Sequence, residues 1–237
     1  MRNLLAFIFV LSLFGCEEHK DAVLDKDAFL VGTLDDYMGR EKFQNKEDLV
    51  DYFALSEKQL GLTIDSIFKT TYADLEFSSS DLGNTDQTHY GLYSKELTER
   101  INTFYDFEAS GRMEYTGEQS MSELNLDSLA NDQEFLAKNF DTIYTGKLKP
   151  EAFKTNTQKL SFITGAYFRY GSQNDSQYQI RVSNSVSKAK LLNEFLLELG
   201  CDQVEYEIQD NIPNPHTLSF VPTEELKQQF ELFEKLR

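Results

Sequence analysis

Two runs near the C-terminus constrain the chain most. Tyr178, Ile180 and Val182 alternate with Gln177, Gln179 and Arg181, and Val204, Tyr206 and Ile208 alternate in the same way with Glu205, Glu207 and Gln209. Successive side chains of a strand point to opposite faces, so each run reads as a strand with one face on a core and one in water. Between them, Ser185 or Ser187 stands where a helix cap is wanted, followed by Ala189, Leu192, Phe195, Leu196 and Leu199 at helical spacing and by Gly200 at the left-handed stop position. A strand, helix, strand crossover makes the two strands parallel. Upstream, the aromatic and alternating segment Leu160 to Tyr170 predicts a further strand, bent at Gly165 and joined to the next through a turn over Gly171 to Ser176. Downstream, Asn211 to His216 turns the chain into a short strand from Thr217 to Val221, and Thr223 caps a last helix bearing Leu226, Phe230 and Phe233. The predicted unit is ββαββα over residues 157–237, with a four-stranded mixed sheet.

The preceding region, 29–156, reads as helix-rich. Asn45 and Asp48 stand three apart, as in an N-terminal cap, ahead of Leu49, Val50, Tyr52 and Phe53. Leu97, Ile101, Phe104 and Tyr105 recur at helical spacing between Ser94 and Phe107, and Gly111 lies beyond them. Asn131 and Glu134 open a third helix carrying Phe135, Leu136, Phe140 and Ile143, broken by Gly146 and Pro150. The fold class expected is α+β, with this helix-rich region packed on the C-terminal unit. No internal repeat of convincing length is visible.

At the other end, Arg2 precedes an apolar run from Leu4 that closes on Leu13-Phe14-Gly15-Cys16. A basic start, a short apolar stretch and a small residue fit an export signal. The tetrapeptide resembles the lipobox of bacterial lipoprotein precursors, whose cysteine is acylated and becomes the new N-terminus. The resemblance implies a signal peptide over 1–15, a lipidated tether over 16–28, and a chain anchored to the bacterial cell envelope, on the periplasmic or the surface side, with the bilayer reached through acylated Cys16. Glu17 and Glu18, with Lys20 and Asp21, resemble the surface-export signals of Bacteroidetes lipoproteins, and Asp65-Ser66-Ile67, Asp127-Ser128-Leu129 and Asp141-Thr142-Ile143 resemble that phylum's glycosylation sequons.

Forty acidic residues against 23 basic ones give a formal charge of −17. Such a field repels nucleic acid and anionic lipid headgroups, so no nucleic-acid partner is expected. The only cysteines are Cys16 and Cys201; with the first acylated, packing alone must hold the fold, and Cys201 is expected to act as a small buried hydrophobe. The histidines, His19, His89 and His216, stand at no metal-ligand spacing. Asp81, Asn84 and Asp86 near His89 depart from the calcium-loop pattern. Neither a metal nor another cofactor is expected.

Ser185-Val186-Ser187-Lys188 fits S-x-x-K, but without its companion motifs it reads as helix capping. The best site candidate is the polar face of the predicted sheet, where alternation places Tyr167, Arg169, Gln179, Arg181, Glu205 and Glu207 together. Its two guanidinium groups suit a carboxylate or phosphate, and the plain reading is an exposed face in which Arg181 pairs across strands with Glu205 or Glu207. The function expected is that of a membrane-anchored envelope lipoprotein, non-catalytic, holding an envelope protein or a small anionic ligand. An immunity or inhibitor lipoprotein and a hydrolase with dispersed carboxylates are the alternatives.

Overall fold

In the computed structural model, residues 24–43, 48–80, 89–117, 124, 132–209 and 213–234 are described. They form seven α-helices and three small antiparallel sheets, so the α+β class is observed. The leader, Cys16 and the tether residues before 24 lie outside the described residues, as do Asp81, Asn84, Asp86 and the Asp127 sequon.

Helix α1 (Lys26–Thr33) opens at Asp25, whose carboxylate accepts from the Ala28 N–H. Lys26 to Ala28, read from sequence as tether, are therefore helical. Strand β1 (Arg40–Phe43) and strand β2 (Leu49–Ala54) lead to α2 (Lys58–Phe68), then β3 (Glu76–Ser80), β4 (His89–Tyr93) and α3 (Lys95–Asn102). A long excursion follows: β5 (Tyr105–Tyr115), α4 (Gln133–Asn139) and β6 (Phe140–Leu148). The chain then forms α5 (Asn156–Tyr170), β7 (Gly171–Asn174), β8 (Gln177–Ser183), α6 (Val186–Glu198), β9 (Asp202–Ile208), β10 (Pro215–Val221) and α7 (Glu224–Glu234). One order of elements, helix, two strands, helix, two strands, helix, thus occurs twice, before and after the β5 to β6 excursion. The side chains differ too much between the two for a sequence repeat to show.

Several expectations are corrected here. The predicted ββαββα unit is not confirmed, because its first strand, Leu160 to Tyr170, is helix α5. Thr155 accepts from the Gln158 N–H to start it, and Leu160 to Phe168 are all buried. A helix apolar on every side leaves no period to read. The expected turn instead supplies β7, which pairs with β8. The four-stranded sheet exists but is antiparallel at each pairing rather than mixed, in the order β7-β8-β10-β9. Strand β10 lies between β8 and β9, so these two share a direction without touching. Among the described residues of 29–156, strand outweighs helix: Leu49 to Phe53 belong to a strand, and α3 and α4 give way to strands at Tyr105 and Phe140. Gly111, read as a stop, sits inside β5 at φ +75, where the register with β6 shifts.

Helices α1 and α5 cross at backbone contact. A Cβ built on Gly32 would lie 2.1 Å from the Phe162 carbonyl oxygen, and one on Gly165 would lie 2.0 Å from that of Phe29. Only glycine fits at either place. Around the crossing, Phe195 packs edge to face with Phe153 and Phe162, which are tilted against each other, and Tyr167 stacks on Phe230 at 4.0 Å. Each such buried ring contributes about 1.5–3 kcal/mol of transfer free energy. Cys201 is a buried free thiol, and burial raises its pKa.

Candidate functional site

The crossing delivers the C-terminal end of α1 into the interior, where its last carbonyls need donors. Arg169 of α5 and Lys188 of α6 supply them. Arg169 donates through Nη1 to Thr33 O at 2.9 Å and to Asp51 Oδ2 at 2.6 Å, and through Nη2 to Tyr52 O at 2.9 Å. Its Nε and Nη2 also grip both oxygens of Glu57, at 2.8 and 3.0 Å, so all five guanidinium hydrogens are used. Lys188, 1% exposed, donates to Leu34 O at 2.5 Å and Gly32 O at 3.3 Å and pairs with Asp36 at 3.1 Å. The Tyr105 hydroxyl donates to the same Asp36 carboxylate.

These contacts set the local acid–base balance. Burial opposes the charge on Arg169, but Asp51 and Glu57 outweigh it and raise its pKa well above the ordinary value. Burial pushes Asp51 up to about 6, against the pull of Arg169 and with a push from Asp35. Burial also opposes ionisation of Glu57, yet the Arg169 hydrogen bonds and charge lower its pKa overall.

Asp51 opens onto a cavity of about 300 Å³ between the end of α1, β1, β2, β4 and β5. Tyr37, Tyr52 and Tyr93 line it together with Asp35, Glu41, Asp48 and Glu114. Arg40 is the cation of the lining, its guanidinium held by neutral acceptors: Nε donates to Asn102 at 2.7 Å and Nη1 to Val50 O at 3.0 Å. Glu41 pairs with Arg112. The acids do not converge: among the described residues, no three His, Cys, Asp or Glu side chains are grouped so as to hold a metal ion. The chemistry left is a diffuse negative potential beside aromatic rings.

The candidate platform read from sequence is dispersed. Tyr167 is in the core and Arg169 in the buried ion network, both on α5. Gln179 and Arg181 do share a sheet face with Glu205 and Glu207, but β10 intervenes, with Ser219 between Gln179 and Glu205 and Thr217 between Arg181 and Glu207. Two strand spacings put the Arg181 backbone about 10 Å from that of Glu207, so the two are not the adjacent cross-strand neighbours expected. Gln179 donates to Ser219 instead. Ser185 stands at the helix start, but its hydroxyl makes no capping bond. The tyrosine-lined cavity escaped the sequence because its walls come from separate elements with no shared spacing. The tyrosine content was its only trace.

No protein-family model and no curated protein matches the chain. Among solved structures, it resembles mesophilic variants of the homing endonuclease I-DmoI at 12% identity and a TM-score of 0.45, covering 86% of each chain. It resembles I-DmoI with DNA and calcium at 11% and 0.44, covering 89% of this chain and 88% of that one, and an I-DmoI variant with its target DNA and manganese at 13% and 0.46, covering 89% and 92%. These neighbours are DNA-binding enzymes. As enzymes described with DNA, they differ from the non-catalytic envelope protein without a nucleic-acid partner expected from the sequence, and that expectation of function and partner is not carried further. No helix among the described residues is long and apolar enough to cross a membrane. A likeness of this degree transfers neither activity nor partner to this chain, so the site's chemistry rests on its own residues.

Proposed function

We propose that the protein takes up a small organic cation, a primary or quaternary amine, in the cavity at the end of α1. The observation that carries this is the cavity's lining, where Tyr37, Tyr52 and Tyr93 meet Asp35 and Asp48, two acids beside the lining cation Arg40, whose Nε and Nη1 are held by Asn102 and the Val50 carbonyl. Aromatic faces attract an alkylammonium through their quadrupole, by about 0.5–2 kcal/mol per contact, and diffuse carboxylates add attraction without demanding a fixed coordination geometry. The volume suits a ligand of a few heavy atoms at the lower end of the usual pocket range. Titration of the full chain with choline and with its uncharged isostere 3,3-dimethylbutanol tests the reading. Choline should bind at least about tenfold more tightly, and Tyr93→Leu and Asp48→Asn should each weaken it. Equal affinities for the two compounds, or no binding of choline, refute the site.

For location, we propose export and attachment to the bacterial cell envelope at Cys16. What supports this is the sequence from Arg2 to Cys16, a leader closing on a lipobox-like tetrapeptide. Mass spectrometry of the mature N-terminus checks it, and a retained leader ends it.

A further inference from the structure

On the other side of β1, a larger groove of about 1,080 Å³ runs between β6 and the α6, β9 and β10 layer. Its walls are apolar: Met38, Leu148, Val186, Leu191 and Ile208, of which Met38, Val186 and Ile208 are 61%, 48% and 53% exposed. Ordinary surface burial leaves few large apolar side chains this open side by side. The groove also holds a buried polar atom without a partner. His216 is 3% exposed; its Nδ1 lies 2.7 Å from the Tyr206 hydroxyl, while Nε2 has no hydrogen-bond partner among the described residues. A buried ring nitrogen without a partner is unfavourable, and a bound oxygen atom would satisfy it.

The groove's rim is held under backbone strain. Met38 has φ 61 and Asn184 φ 48, and the two are joined by the Met38 N–H donating to Asn184 O at 3.0 Å. A left-handed methionine is a strained conformation, and strain of this kind collects where geometry serves a ligand. Lys190 stands at this rim beside Glu194, and Lys147 pairs with Glu108 at 3.2 Å, so the rim lacks the strong negative charge of the rest of the chain.

We infer that this groove binds a small amphipathic carboxylate, its aliphatic body on Met38, Leu148, Val186, Leu191 and Ile208 and a head oxygen hydrogen-bonded to His216 Nε2. In the neutral tautomer that binds, Tyr206 donates to Nδ1 and the ring proton sits on Nε2, where it faces the carboxylate as a donor. Burial lowers the pKa of His216, which keeps the ring neutral in the free protein.

Octanoate is the probe, added to the full chain while the imidazole resonances are followed by NMR. The chain has only three histidines, and His216→Gln assigns the third. A saturable shift of the His216 resonance is expected, with octylamine binding about tenfold more weakly. Ile208→Asp should reduce octanoate affinity by a similar factor while leaving choline binding unchanged, which separates this groove from the cation cavity. Absence of a saturable shift, equal binding of octylamine, or unaltered octanoate affinity in Ile208→Asp overturns the inference.

Discussion

The two halves that share an element order, α1 to α3 and α5 to α7, differ in two respects. In the second half β7 stays on β8, whereas in the first β1 leaves β2 and joins β6. The residue four past the crossing glycine is Asp36 in the first half and Arg169 in the second. Asp36 pairs with Lys188 of the second half, and Arg169 pairs with Asp51 and Glu57 of the first. Opposite charges at corresponding positions thus tie each half to the other, and the departure of β1 opens the space that becomes the tyrosine-lined cavity. A repeated scaffold yields an asymmetric site when one strand changes partner.

The most severe way to break this relation is at the crossing. Gly165→Val places side-chain atoms against the Phe29 carbonyl, a backbone group with no room to move, and should abolish folding or cost more than about 3 kcal/mol by urea denaturation. Next comes Arg169→Met, which strands Asp51 and Glu57, removes the guanidinium donor from the Tyr52 carbonyl and leaves the Thr33 carbonyl with the Tyr170 hydroxyl at 3.4 Å. A loss of about 3–5 kcal/mol is expected, smaller when Asp51→Asn is added, so a double-mutant cycle reads the coupling between the halves.

Asp51 gives the third test. Its carboxyl holds a proton more tightly folded, at about 6, than at the ordinary 3.8, so this group favours the folded state at low pH. The contribution declines as pH rises from about 4 through 6, by up to about 3 kcal/mol. Glu57 acts in the opposite sense, losing its contribution only as pH falls below its ordinary 4.5. His216, its pKa lowered from 6.5 by burial, also contributes more as pH rises, so over the span from 4.5 to 6 it is the difference between the native chain and Asp51→Asn that isolates Asp51. Chemical denaturation across that span should show falling stability in the native chain and a flatter profile in Asp51→Asn. The smallest effect is expected at Gly200→Ala, a left-handed position at φ +78 with open space around it, costing about 1–2 kcal/mol.

What could be read from sequence were the elements with one wet face. Strands β8, β9 and β10, helix α6 and helix α7 all carry alternation or an apolar stripe, and each was predicted as the right type. Helix α5 was not, since Leu160 to Phe168 are buried on every side and their aromatic content imitates a strand. Arg169 was singled out for its chemistry but placed in solvent, because period two was applied to a helix. The Asp36–Lys188 pair and the tyrosine cavity join residues distant in the chain, and only the crossing of α1 and α5 brings them into contact.

The departure of β1 has a further consequence for how molecules of this protein meet one another. It leaves β2 as an edge strand among the described residues, the sort of row of backbone groups that invites another chain to add to the sheet. Two carbonyls of that row, Val50 O and Tyr52 O, are already taken by the guanidinium groups of Arg40 and Arg169. Side chains thereby stand in for the missing neighbour and blunt the edge against self-templated aggregation.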